Sequence, residues 1–576
     1  MSYPNVNDKN FYGKINKIYG KFETPKQQKS FNKICYPKEY QLQTPQKFLS
    51  KYINPKTPYK GVIIFHQIGS GKTCTSIQIA ETWKYKRKII VVVPASLIGN
   101  YRNELRSLCA GSHYLTNNER VLLKQYHPMS DEYKKIIKKS DDRIDEFYTI
   151  YSYNKFISSA EENKLNLRNT LLIIDEIQNM ISEDGKYYEV LSDIINNSPN
   201  NLRIVLLSAT PMFDKPNEIA LTMNLLRLPK PLPTGKNFDQ MFIEEKQNKQ
   251  GEISYEVKNL DIFKQMVKGY VSYFRGADPI SFPELRLKYV KCHMSDFQYR
   301  AYATVMGIED RGNRFRNYKK TVRLIKNGDI VKLPNNFFIG TRMVSNIAFP
   351  NNDIGIDGLE SLTINMVRKH LDKYSVKFYK IVKKIERCHG KVFVYSTFRG
   401  YGGLESFIKI LDLLGYKNYE NNGEGRKRYG VFSGDENLAE KERIKDVYNR
   451  DDNIFGENLK ILLLSPAARE GLSLYNVRQL HILEPYWNFS RIAQILGRAV
   501  RYCSHKELPD EMRYVDAYIY VAIHESENET VDQYIAKLAN KKSKIIQKFE
   551  NALKESAVDC HLFKNMNHLG HLTCEK

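Results

Sequence analysis

Five short apolar runs recur along the first part of this chain: GVIIF (61–65), KIIVVV (88–93), FYTIYS (147–152), TLLIID (170–175) and RIVLLS (203–208). Segments of helical length separate most of them. Runs this short and this apolar read as strands buried on both faces. Strand then helix, repeated, predicts a parallel sheet with helices on both sides. The rhythm stops at PKPLPTG (229–235), a Pro- and Gly-rich hinge signal. It returns at KVFVYS (391–396), RYGVFS (428–433), KILLLS (460–465), LHILE (480–484) and VDAYIYVA (515–522). The expected fold class is therefore α/β, with two such domains, a basic and mostly helical region inserted between them, and a helical C-terminal tail. The expected limits are 1–40 for a flexible N-terminal arm, 41–230 for the first α/β domain, 231–370 for the insert, 371–525 for the second α/β domain and 526–576 for the tail.

Charge narrows the partners. The 89 Lys and Arg against 65 Asp and Glu give a formal net charge of +24. Nucleic acid is the first partner to consider, and a basic solvated surface is the plainer alternative. Residues 286–342 alone hold thirteen basic against four acidic side chains, interleaved with Tyr299, Tyr302, Phe315 and Tyr318. That mixture suits a nucleic-acid strand held by charge and stacking, or equally a solvated helix face. The eight cysteines are scattered without a C-x-x-C pair, and no signal-peptide pattern opens the sequence. A reduced, intracellular protein is expected. No apolar run is long enough to span a membrane, so no membrane partner is expected. Cys560, His561, His568, His571 and Cys574 invite a zinc reading, but their spacing fits no common zinc frame.

The first run leads into HQIGSGKT (66–73) and then a helix. Strand, loop, helix is the context a phosphate loop needs. Gly69 and Gly71 let the backbone curl so that its N–H groups face phosphate, with His66, Gln67, Ile68 and Ser70 completing the loop. Lys72 adds a point charge at the β- and γ-phosphates, and Thr73 offers a hydroxyl to Mg²⁺. The motif's usual first glycine is replaced by His66. In LLIIDEIQNM (171–180) an apolar strand ends on Asp175, suited to hold Mg²⁺, and Glu176, suited to polarise the attacking water; Ile177 and Gln178 complete that box. In LLSATPMFD (206–214) another strand ends on Ser208, Ala209 and Thr210, expected to sense the nucleotide state beside the two acids. ATP and Mg²⁺ are the expected cofactors, with Mg²⁺ held by Thr73 and Asp175.

The ordered set HQIGSGKT, VVVPASLIGN, DEIQ, SATP, FVYSTF, SPAAREGLSL and QILGRAVR resembles a helicase of superfamily two over most of residues 42–505. DEIQ stands where DEAD or DEAH is usual, so Gln178 leaves open how the ATP site communicates with the SAT strand. IIFHQIGSGKT, VSYFRGADPISFPELR, VKCHMSDFQYRAY and HGKVFVYSTFRGYGGLE are similar to ATPases of large DNA viruses, the poxvirus early transcription factor small subunit and nucleoside triphosphatase I among them. No long extension follows the second α/β segment, which favours the motor over the promoter factor. The resemblance implies two RecA-like P-loop domains with ATP between them and Gln46 reading adenine. Nucleic acid, DNA or RNA, is expected at backbone-contacting residues just past strand ends. These are Pro94, Ala95 and Ser96, then Ser152, Tyr153 and Asn154, then Ser396, Thr397 and Arg399, then Ser465, Arg469 and Gly471.

QILGRAVRY (494–502) is expected as a helix with Gln494, Arg498 and Arg501 on one face, turned to the γ-phosphate, where Arg498 and Arg501 would act as arginine fingers. The function so implied is a nucleic-acid-dependent ATPase of helicase or translocase type in viral transcription. Its alternatives are an ATP-switched promoter-binding or termination subunit, and a DNA repair or remodelling translocase. A viral RNA polymerase or a second transcription-factor subunit is the implied protein partner, and the virion and host cytoplasm the implied location.

Overall fold

The computed structural model describes residues 3–24, 30–127, 130–182, 185–247, 253–276, 278–312, 338–353, 355–434, 436–466, 472–567, 569–570 and 572–576. The chain divides into two compact units. One comprises Met1–Lys246, Tyr255–Asp278 and Ile545–Lys576, the other Gln247–Ser254 and Pro279–Lys544. Each is a RecA-like α/β domain.

The first unit is built on β1 (Gly61–His66), β2 (Lys88–Val93), β3 (Tyr148–Ser152), β4 (Thr170–Ile174) and β5 (Arg203–Ser208), each one of the apolar runs. A two-stranded ribbon follows, β6 (Ile243–Gln247) and β7 (Ile253–Val257), and then β8 (Val271–Phe274). The sheet order is β3-β2-β4-β5-β1-β8, with every ladder parallel. Successive side chains of a strand point to opposite faces. Ile63 and Phe65 of β1 accordingly enter one core, and Val62 and Ile64 the other.

Two segments differ from expectation here. The lysine-rich N-terminus is docked over Phe11–Tyr19, a helix that buries Phe11, Tyr12, Ile15 and Tyr19; apolar residues at helical spacing outweigh the polar composition around them. The sixth strand, β8, lies inside the stretch expected as a helical insert. It is an edge strand whose outward groups meet side chains and backbone of the C-terminal segment rather than another strand. The Val558 amide donates to the Val271 carbonyl (2.8 Å), the Tyr273 amide to Asp559 (3.0 Å), and the Arg275 amide to Asn567 Oδ1 (2.8 Å). Asn567 Nδ2 returns a bond to the Tyr273 carbonyl (3.1 Å). Covering an edge in this way satisfies its backbone and removes a site for strand addition.

The second unit holds β9 (Glu284–His293), β10 (Lys391–Tyr395), β11 (Lys417–Asn418), β12 (Arg428–Phe432), β13 (Ile461–Leu464), β14 (Val477–Ile482) and β15 (Tyr514–Ile523). Their order is β11-β12-β13-β10-β14-β15-β9, again parallel throughout. β9 also comes from the expected insert, and pairs with β15 over its whole length, Glu284 opposite Tyr514 to His293 opposite Ile523. A 25-residue helix, Val531–Glu555, follows β15 as the expected tail helix. Among the described residues no helix is long and apolar enough to cross a membrane.

A buried ion pair fixes the start of that tail helix within the second unit. Lys377 Nζ lies 2.6 Å from Asp532, and their side chains are 1% and 0% exposed. Lys377 also donates to Asn346 Oδ1 (2.9 Å), and Asp532 accepts from the Ala522 amide (2.9 Å). Removing one partner of such a pair strands a buried charge. Lys377→Met should therefore lower stability by about 3–5 kcal/mol in chemical denaturation. Lys377→Met with Asp532→Leu should recover much of that loss.

The cysteines correct the expectation of a fully reduced chain. Cys74–Cys109 and Cys560–Cys574 are disulfides, with Cα atoms 5.8 and 5.7 Å apart. The pairs are separated by 35 and 14 residues, so no local spacing in the sequence signals them. Cys560 and Cys574 are thereby taken from the possible zinc set, and His568 and His571 lie outside the described residues.

Candidate ATP site and nucleic-acid surface

The three chemical motifs of the first unit emerge side by side because β4, β5 and β1 are neighbours. All three strands run parallel, so HQIGSGKT, DEIQ and SATP leave from the same edge of the sheet. Open parallel sheets bind ligands there.

The loop after β1 turns through Gly69 (φ 80°) and Gly71 (φ 79°), both in the left-handed region that favours glycine. A Cβ at Gly71 would lie 2.8 Å from Gln46 Nε2, so a side chain there would also displace Gln46. The helix Lys72–Trp83 starts directly after it. Its amide ends and the adjacent loop form the kind of nest that binds phosphate. Ser70 Oγ is buried in that loop with no hydrogen-bond partner. A cradle with two left-handed glycines, an orphan hydroxyl, Lys72 and Thr73 fits a nucleotide phosphate with its Mg²⁺. Gln46 is 4% exposed and is tied to the loop. Its Oε1 accepts from the Gln43 amide (2.8 Å) in a capping box, and its Nε2 donates to the Gly71 carbonyl (3.4 Å). His66 is fully buried at the end of β1. Gln67 is exposed, and Ile68 is half-buried.

The acids lie at the end of β4. The Asp175 amide donates to the Val92 carbonyl (2.9 Å), and Asp175 Oδ1 accepts from the Glu176 amide (2.9 Å). Glu176 adopts φ 50°, ψ 48°, left-handed for a non-glycine residue. Such a conformation costs about 1–3 kcal/mol and concentrates at functional sites. Tyr153 OH braces it, donating to the Asp175 carbonyl (2.6 Å) and the Glu176 carbonyl (3.0 Å).

Gln178, the departure in DEIQ, is the bridge between the acids and the SAT strand. Its Nε2 donates to Glu176 Oε2 (2.6 Å), and its Oε1 accepts from Ser208 Oγ (2.6 Å). The Thr210 amide then donates to Ser208 Oγ (3.0 Å). A primary amide can do this because it carries donor and acceptor on one carbon. Glu218 props the following turn, accepting from the Phe213 (2.6 Å) and Asp214 (2.9 Å) amides; burial pushes its carboxyl up to about 7.

The expected nucleic-acid residues gather in two groups. In the first unit β2 and β3 are adjacent. Pro94, Ala95 and Ser96 therefore lie near Ser152, Tyr153 and Asn154. Ser152 caps its helix by accepting from the Lys155 amide (3.3 Å), and Asn154 accepts from Tyr187 OH. In the second unit β10 and β13 are adjacent, which brings Ser396, Thr397 and Arg399 beside Ser465. Arg469 and Gly471 lie outside the described residues, as do residues 313–337 of the basic stretch. Glu484, at the end of β14, was not singled out in sequence. It is buried, and it holds the 396–397 turn by accepting from Ser396 Oγ (2.6 Å), the Thr397 amide (2.9 Å) and Asn346 Nδ2 (2.6 Å).

QILGRAVRY is only partly helical. The helix is Phe489–Ala499, so Arg501 lies beyond it. The Arg498 carbonyl accepts from the Leu474 amide (3.0 Å) instead of continuing the helical ladder, and β-branched Val500 takes a non-helical φ/ψ at the cap. Gln494 and Arg498 line a small cavity with Tyr395, Ser465 and Arg491. Arg501 is held apart from it, with Nε on the Gly497 carbonyl (3.1 Å) and Nη1 on Ser473 Oγ (2.5 Å).

Comparison with known sequences sets this site in a family. The profile of the SNF2-related domain matches residues 32–344, and that of the nucleoside triphosphatase I C-terminal region matches residues 505–573. A protein of Acanthamoeba polyphaga mimivirus bearing the name of an ATP-dependent RNA helicase is 52% identical over 98% of this chain and 97% of its own length. A termination factor NPH-I homolog of African swine fever virus is 26% identical over 87% of this chain and 76% of its own. Among solved structures, the Hef helicase domain of Pyrococcus furiosus aligns with a TM-score of 0.39 at 14% identity, covering 83% of this chain and 94% of that one.

Proposed function

Since the chain belongs to the SNF2-related domain family, we propose that it couples ATP hydrolysis at the β1–β4–β5 edge to movement along nucleic acid during viral transcription. It is an ATP hydrolase of helicase or translocase type. The observation that carries the site assignment is the continuous chain Glu176–Gln178–Ser208–Thr210 beside the phosphate loop.

In this reading Lys72 and the loop amides hold the phosphates, and Gln46 faces adenine. Thr73 and Asp175 would hold Mg²⁺, which supplies charge neutralisation on the β- and γ-phosphate oxygens. Glu176 takes a proton from the attacking water, and Gln178 keeps its carboxylate aimed by donating to Oε2. Loss of the γ-phosphate would then be felt at Ser208 and Thr210 through the same amide. Gln494, Arg498 and Arg501 of the second domain are proposed to stabilise the charge that develops on the γ-phosphate. Pro94, Ser96, Ser152, Asn154, Thr397, Arg399, Ser465, Arg469 and Gly471 would contact the nucleic-acid backbone, giving affinity without base reading.

Nucleic acid is the partner, and a viral RNA polymerase or a second transcription-factor subunit is its proposed protein partner. The virion and the cytoplasmic viral factory are the proposed locations. The test is ATPase activity with no nucleic acid, single-stranded DNA, duplex DNA and RNA. At least one should stimulate turnover severalfold, and the stimulating affinity should fall steeply with salt. Turnover indifferent to all four conditions would refute the coupling. A strand-displacement assay separates helicase from translocase or switch.

A further inference from the structure

His66, Ser272 and Asp559 form a buried line from the phosphate loop to the C-terminal segment. All three belong to the first unit and are 0% exposed. His66 Nε2 lies 3.0 Å from Ser272 Oγ, and the Ser272 hydroxyl donates to Asp559 Oδ2. The other carboxylate oxygen, Oδ1, accepts from the Tyr273 amide (3.0 Å). The mechanism above uses none of the three, yet His66 occupies the loop position where the motif usually has glycine.

The direction of these bonds fixes a tautomer. Ser272 has one proton, and it goes to the carboxylate. Its oxygen can therefore only accept from His66, which must carry its proton on Nε2. Nδ1 is then a bare lone pair, buried and without a hydrogen-bond partner. Burial holds the ring neutral, and the Lys72 ammonium acts in the same direction. Burial also pushes Asp559 up to about 7, against the bonds from Ser272 and Tyr273.

We propose that Asp559, carried by the C-terminal segment, is a positioning residue of the ATP site: through Ser272 it fixes His66 as the Nε2–H tautomer at the head of the phosphate loop. The ring is near enough to Lys72 for that ammonium to oppose its protonation, and the bare Nδ1 turns the negative end of the imidazole dipole outward from the relay. Reversing the relay places an N–H there and disturbs the residue that meets the phosphates. The segment that caps the edge of the sheet thus also sets the state of the loop, and an ATP site lacking it is incomplete. This rests on the reading that the Lys72 loop holds ATP.

Asp559→Asn tests it almost without change of shape. The Tyr273 amide requires an acceptor, so the asparagine must present its oxygen there and its Nδ2 to Ser272. The serine proton is then forced toward His66, and the ring switches to Nδ1–H. The full chain is studied at about pH 8, above the titration of Asp559 near 7. Histidine ¹⁵N shifts should report Nε2–H for the parent and Nδ1–H for the variant, with His66→Gln identifying the signal. The KM for ATP should rise about tenfold with kcat within about threefold, the scale of one buried hydrogen bond reversed. If Asp559→Asn does not fold, Ser272→Ala, which leaves Asp559 bonded to Tyr273, should raise KM in the same way. An unchanged tautomer, or an unchanged KM in a folded variant, overturns the proposal. Turnover retained by Lys72→Ala would instead overturn the ATP-site reading, and the relay's role with it.

Discussion

Glu176→Gln should lower ATP turnover by about 10²–10⁴-fold, the contribution of a positioned general base. ATP binding should change little, because the phosphate grip lies in the loop amides and Lys72. The substitution is close to isosteric. A glutamine oxygen can still accept from Gln178 Nε2, so the bridge to Ser208 survives. The left-handed backbone at 176 costs glutamine about what it costs glutamate. Loss of turnover therefore reports loss of the carboxylate's basicity. Single-turnover hydrolysis alongside fluorescent-nucleotide binding measures both quantities. A variant that keeps more than a third of parental turnover would assign the base to another group. Lys72→Ala should fail differently, losing binding and turnover together.

That contrast depends on which parts of the site were readable from residues alone. The strands that carry chemistry were legible because they are buried on both faces, so their sequences are unbroken apolar runs: GVIIFH became β1, TLLII β4 and RIVLLS β5. Motif order then placed the phosphate loop, the acids and the SAT turn. β9 was not legible. ELRLKYVKCH is an edge strand with a mostly exposed pattern, and its lysines and arginine resemble a solvated helix face. β8 has only four residues, and Gly269 before it and Arg275–Gly276 after it are the sole boundary signals.

Side-chain bridges across long separations were invisible for a different reason. Asp559 reaches Ser272 across 287 positions, and nothing local marks either residue. Gln178 shows the converse. Its identity was conspicuous as a departure from the acidic or histidine box, but its use followed only from geometry. With β4 beside β5, an amide at 178 spans Glu176 and Ser208 with one bond to each. The disulfides belong with the bridges, since Cys74 and Cys109 meet only because the helix after the phosphate loop packs on the turn Leu108–Ala110.

Arg501→Ala should cost about 10³–10⁵-fold in turnover, the range for an arginine that stabilises phosphoryl-transfer charge, while sparing ATP binding. In its own unit the guanidinium is held by the Gly497 carbonyl and Ser473 Oγ. Both of these acceptors are uncharged, and a phosphoryl group in transfer offers the same fork a bidentate, doubly charged pairing that neither can match. Arg501 lies past the end of its helix, and exchanging these two bonds requires no helical turn to unwind. Arg501→Lys should not restore activity, because an ammonium cannot reproduce the planar fork. Ser473→Ala separates the two explanations for a loss. It removes one part-buried bond that parks the side chain but keeps the guanidinium, and should leave turnover within about threefold. A strong defect in Ser473→Ala equal to that of Arg501→Ala would mean that the contact with Ser473, and not transition-state charge, is what the arginine supplies. Turnover near parental in Arg501→Ala would pass the role to Arg498, which lines the cavity with Gln494.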